Sequence, residues 1–93
     1  MINVSGKDLM RAGQKIGYIQ GNDIFSHEGR KLGYVQGNHV FNRDGQKLAY
    51  LQDDHIYHAH DSQKTRIEDN HQQVSGGEIS DVQRAAVRVL LGD

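Results

Sequence analysis

Ninety-three residues with a formal net charge of −1 and no cysteine set the limits: one small domain, without disulfides, thiolate metal sites or cysteine nucleophiles. The 11 Lys and Arg residues are outnumbered by 12 acids, so the basic field that a phosphate backbone calls for is missing and nucleic acid is not an expected partner. No apolar run reaches the length of a signal peptide or a bilayer span, and the chain reads as soluble and cytoplasmic.

In chain order, Val4-Ser5-Gly6-Lys7-Asp8-Leu9-Met10 forms a half-copy that echoes Ile19-Gln20-Gly21-Asn22-Asp23-Ile24-Phe25. Three gapless copies of a sixteen-residue unit follow: Gly13 to Glu28, Gly29 to Asp44 and Gly45 to His60. The first two agree at eight of sixteen positions, and a unit too short to bury its own apolar surface must stack on its neighbours. Each copy predicts two short strands and two turns. Ile16 to Gln20 is a strand, Gly21-Asn22 a tight turn, Asp23 to Ser26 the return strand, and Glu28-Gly29 the turn into the next copy. The third copy carries Asp53-Asp54 in place of Gly-Asn, which predicts a less relaxed tip or another turn type. Lys64 to Glu68 is a candidate last strand.

Two-residue turns fix the register: Ile19 opposite Ile24, Tyr18 opposite Phe25, and Phe25 opposite Leu32. One face then collects Ile16, Tyr18, Phe25, Leu32, Tyr34, Phe41, Leu48, Tyr50 and Tyr57, and the other Gly17, Ile19, Ile24, Gly33, Val35, Val40, Ala49, Leu51 and Ile56. Neither face is polar, so each needs a cover. Tyr34, central on the aromatic face, is expected to be buried.

Residues 69–79 (DNHQQVSGGEI) read as a polar connector between a repeat array over 1–68 and a helical segment over 80–93. Ser80-Asp81-Val82-Gln83 has the form of a capping box, and Val82, Ala85, Ala86, Val89 and Leu90 recur at helical spacing before Gly92. This helix can cover one face. The second needs another subunit or a sheet curled into a roll, which Gly17 and Gly33 permit. The fold class is therefore mainly β, an antiparallel meander of hairpin repeats with one C-terminal amphipathic helix.

Histidine supplies the one candidate ligand cluster. On an extended strand His58 and His60 point the same way and can share a divalent metal, with Asp53, Asp54 or Asp61 nearby, whereas His55 has the opposite parity and repeats the place of His39. The spacing matches no closed structural zinc pattern, and the plainer reading is solvated histidines on an edge strand. No serine lies in a nucleophile elbow, and the glycines are explained by turns, so no enzyme and no cofactor are expected. The Tyr and Phe ladder with Lys15, Lys31 and Lys47 admits base stacking as a minor alternative to cross-strand packing.

In spacing and in Gly/Tyr usage, Gly13 to His60 resembles the bacterial short β-repeats of the WG, YD and MORN type, while lacking their tryptophan or doubled glycines. The expected function is a non-catalytic repeat module acting in self-association or on an unidentified protein partner, with a histidine metal site or single-strand binding as alternatives. A two-fold homodimer would use Tyr50, Leu51, Ile56 and Tyr57, with Val82, Val89 and Leu90 of the helix.

Overall fold

The computed structural model describes residues 1–59 and 63–92. Four hairpins follow one another: β1 (Ile2–Ser5) with β2 (Asp8–Arg11), β3 (Gln14–Gln20) with β4 (Asp23–Ser26), β5 (Lys31–Gln36) with β6 (His39–Asn42), and β7 (Lys47–Gln52) with β8 (His55–His58). After β9 (Lys64–Arg66) come the short helix α1 (Ile67–Gln73), the two-residue strand β10 (Val74–Ser75) and the helix α2 (Asp81–Leu91). All ten strands form one sheet in the order β10-β1-β2-β3-β4-β5-β6-β7-β8-β9. Every pairing is antiparallel except β1 with β10, where Ile2 faces Val74 in parallel.

The hairpin tips hold the expected register, with Ile19 opposite Ile24 and Tyr18 opposite Phe25, and the same pattern in the next two copies. Gly21 and Gly37 take φ near +60° at the first central turn position, and Asp53 takes the same φ of 56° without glycine's freedom. The third tip therefore keeps the turn and carries its strain. At the opposite ends of the strands the register departs from expectation. Phe25 pairs with Lys31 rather than Leu32, and Phe41 with Lys47, each across a bulge. The cause is the loop chemistry. Ser26 Oγ accepts from the backbone N–H of Glu28 and Arg30, and Asn42 Oδ1 from those of Asp44 and Gln46, so each loop closes on the strand end and pushes one residue out of the ladder. A one-residue slip exchanges faces. Ile16 and Leu48, expected on the aromatic face, accordingly pack against the core.

Bulges raise local twist, and three of them, after β2, β4 and β6, roll the sheet around α2. Arg84, Ala85, Ala86 and Val87 are all buried, and four consecutive residues sweep most of the circumference of a helix. The helix is thus an axle inside the roll, where the sequence predicted a lid on one face. Its start is the expected capping box, with Ser80 Oγ accepting from Gln83 N–H and Gln83 Oε1 accepting from Ser80 N–H. Around it the inner face contributes Ile2, Val4, Leu9, Ile19, Ile24, Val35, Val40, Ala49, Ile56 and Val74, all buried, at roughly 1.5 to 3 kcal/mol for each large aliphatic side chain. Gly17 and Gly33 serve close approach: a Cβ on Gly33 would stand 2.8 Å from Leu90 Cδ1, and one on Gly17 3.1 Å from Leu91 Cδ1.

The expected connector over 69–79 is instead the closure of the roll. Helix α1 runs from β9 directly into β10 and packs on both, joining the two ends of the sheet. Buried Arg84 then fixes the far edge, Nη1 donating to the carbonyls of Val74 at 2.8 Å and Gly76 at 2.9 Å. The two edges of the sheet are strands of only three and two residues, and helix α1 runs from one to the other.

Candidate functional site

With the inner face and helix forming a complete core, what remains for recognition is the outer face. It carries a belt of three cross-strand aromatic pairs: Tyr18 on Phe25, Tyr34 on Phe41 and Tyr50 on Tyr57, stacked with centroids 4.9, 5.1 and 5.3 Å apart. All six rings are half-buried, so Tyr34 is not enclosed as the sequence suggested; the sheet curls away from this face instead of folding over it.

Tyr18, Tyr34 and Tyr50 are each approached by the lysine three residues before them. Lys15, Lys31 and Lys47 lie 5.1, 5.0 and 5.7 Å from the ring centres of Tyr18, Tyr34 and Tyr50. These tyrosines are therefore each engaged by an aromatic partner and an ammonium group. A nucleobase would have to displace one of them to stack, which weakens the single-strand reading.

The third repeat unit differs in charge. Lys15 pairs with Asp8 and Lys31 with Asp23, both at 3.1 Å, whereas the position equivalent to those aspartates is His39 beside Lys47. Among the described residues Lys47 has no carboxylate within ion-pair distance. The His39 ring leans against both Phe41 and Tyr50, and His55 against Tyr57. Aromatic and imidazole rings thus gather at the end of the belt nearest β8.

The residues expected at an interface separate under this geometry. Tyr50 and Tyr57 form the last stacked pair of the belt. Ile56 is 3% exposed and belongs to the core, so it offers no surface, while Leu51, Val82, Val89 and Leu90 are half-buried against that core. The period-two pattern assigned Leu51 and Ile56 to their face correctly but did not say which face the roll would enclose. Of the expected metal pair, His58 lines a cavity beside α2 and His60 lies outside the described residues. No group of three or more His, Asp or Glu is placed to hold a metal among the described residues, and no described helix is long and apolar enough to cross a membrane.

One family model, described as 4-fold beta flower protein, matches residues 10–77. That stretch runs from β2 through the last three hairpins to the end of the closing segment. No curated protein and no solved structure matches.

Proposed function

The chain belongs to the 4-fold beta flower family, and from that premise we propose a non-catalytic interaction module that pairs with a second copy of itself through the outer aromatic belt. The observation that carries this reading is the third repeat unit. Tyr50 and Tyr57 stack at the surface, and Lys47 lies over Tyr50 without the aspartate that its two counterparts have. A half-buried aromatic pair flanked by a cation that has no carboxylate within ion-pair distance among the described residues suits a two-fold contact, in which the rings meet and each lysine finds a carboxylate of the other copy. The short edges support the belt over strand addition, because a two-residue and a three-residue strand offer little backbone to a partner.

Light-scattering mass at micromolar concentration tests the proposal. The parent is expected at the mass of two chains and Tyr50→Lys at that of one, since a second ammonium beside Lys47 repels across the axis. A parent of one-chain mass throughout the micromolar range overturns self-association, and a Tyr50→Lys variant of two-chain mass overturns the belt as its site.

A further inference from the structure

Across the strands, the outer face of the roll repeats in rows. Asp8, Tyr18 and Phe25 stand side by side on β2, β3 and β4, and Gln20, Asp23, Tyr34 and Phe41 on β3 to β6. The third row is Gln36, His39, Tyr50 and Tyr57, on β5 to β8. Each row places one titratable side chain next to the tyrosine of its stacked pair, and in the third row that side chain is an imidazole where the others have a carboxylate.

The exchange changes what a proton can do to the belt. In the first two rows the aspartate holds the lysine that lies over the tyrosine, Asp8 with Lys15 and Asp23 with Lys31, both at 3.1 Å. Carboxylates keep their charge over the range in which imidazole gains one, about pH 8 to 5. In the third row the residue beside Lys47 is uncharged without its proton and a second cation with it. The charge of this sector of the belt is therefore set by the solution.

His39 has no carboxylate in register. On the β5 side it faces Gln36, which carries no charge, and on the β7 side Tyr50 and, by the repeat, Lys47. Its ring leans on Phe41 and Tyr50, with centroids 6.2 and 6.3 Å apart, and its Nδ1 is shielded from solvent without a hydrogen-bond partner. A neutral ring can carry its proton on Nε2 and leave Nδ1 bare, whereas an imidazolium donates from both nitrogens. Protonation therefore either leaves a shielded N–H without an acceptor or turns the ring out of its place on the rings, and both outcomes set a charge beside Lys47. His55, the equivalent residue of the next hairpin, faces Gln52 and Arg66, whose charge is met by Glu68, and leans on Tyr57 alone at the end of the belt.

We propose that His39 makes the self-association of the belt depend on pH, with the pair of chains held together while the imidazole is neutral and released when it takes a proton. This rests on the two-fold contact through Tyr50 and Tyr57 proposed above. In that contact the Lys47 of each copy takes a carboxylate of the other. Protonated His39 brings a further cation to each side of the axis, and a charge taken out of water without its own partner opposes the contact. The proton then binds the single chain better than the pair, so by linkage a falling pH separates the pair, and the effect enters once for each copy. A proton does reversibly what Tyr50→Lys does permanently.

Light-scattering mass over a dilution series, at about pH 7.5 and about pH 5.5, tests the switch, with circular dichroism at both to check the fold. The parent is expected at the mass of two chains at the higher pH, with a dissociation constant about tenfold or more higher at the lower. His39→Gln keeps a polar side chain that takes no proton and should pair equally at both. His39→Lys is charged at both and should have the mass of one chain even at the higher pH. If one variant misfolds, the other decides. Equal dissociation constants for the parent at the two pH values overturn the switch and leave the belt contact standing, whereas a one-chain mass at both overturns the contact and the switch with it. A His39→Gln variant that weakens with falling pH as the parent does, or a His39→Lys variant that pairs as tightly as the parent, overturns His39 as the group responsible.

Discussion

The hairpin array and the segment that closes it are built on opposite principles. From β3 to β8 the same contacts recur every sixteen residues: an inward aliphatic pair such as Ile19 and Ile24, an outward aromatic pair such as Tyr18 and Phe25, and a glycine or its substitute at the tip. From β9 onward nothing recurs, and single residues act alone: Arg84 holds two carbonyls, and Gly76 and Gly77 lie directly against Val4, where a Cβ on either would come within 2.8 Å of it or closer. Periodic parts share their load over many equivalent contacts, whereas a closure depends on a few that have no duplicate. Damage to the array should therefore lower global stability, and damage to the closure should first open one seam.

The largest effect is expected in the array. Ile24 is fully buried, and Ile24→Ala should cost about 3 to 4 kcal/mol, read as a fall in urea midpoint that fluorescence and circular dichroism report together. Midpoints that separate between the two probes would show that the array does not unfold as one body.

Arg84→Met comes next and distinguishes the two regions directly. Two hydrogen bonds from a charged donor are lost and two carbonyls released, a cost of about 2 to 3 kcal/mol. Hydrogen exchange should accelerate at Val74 and Ser75 while the amides of Ile19 and Val35 keep most of their protection. Uniform acceleration would make the closure part of the array's cooperative unit.

The smallest effect has the opposite sign. Asp53 holds φ of 56° at a tip where the other copies have glycine, so Asp53→Gly should stabilise by about 0.5 to 1 kcal/mol, read as a higher thermal midpoint. A lower midpoint would mean that the aspartate side chain contributes more to its tip than the backbone strain costs.

The same contrast explains what could be read from the chain before its structure. Period-two alternation and two-residue tips gave the array its register and separated Ile19, Ile24, Val35 and Val40 from Tyr18, Phe25, Tyr34 and Phe41, because these depend on neighbours within a few residues. The capping box at Ser80 was legible for the same reason. The two bulges at Phe25 and Phe41 were not, since they go with Ser26 and Asn42 closing their loops through side-chain acceptors that a count of turn residues leaves out. Helix α1 has the sequence IEDNHQQ, with no apolar stripe and with a polar residue, Asn70, as its one buried side chain, so no periodicity marks it. The belt residues Tyr50 and Tyr57 were within reach of pattern reading. The cavity that Thr65, Asn70 and Arg88 line beside α2 was not, because it depends on the closure.

The parallel pairing of Ile2 with Val74 also sets an order of events during synthesis. Each hairpin needs only neighbouring residues and can form as soon as it leaves the ribosome, but the second edge of β1 waits for a partner that is made after all four hairpins. Until α1, β10 and α2 emerge, the growing chain has an inner face with no axle, and Ile2, Val4 and Leu9 stay open to water and to other nascent chains. The segment that closes the roll is therefore the one that ends the period of greatest aggregation risk.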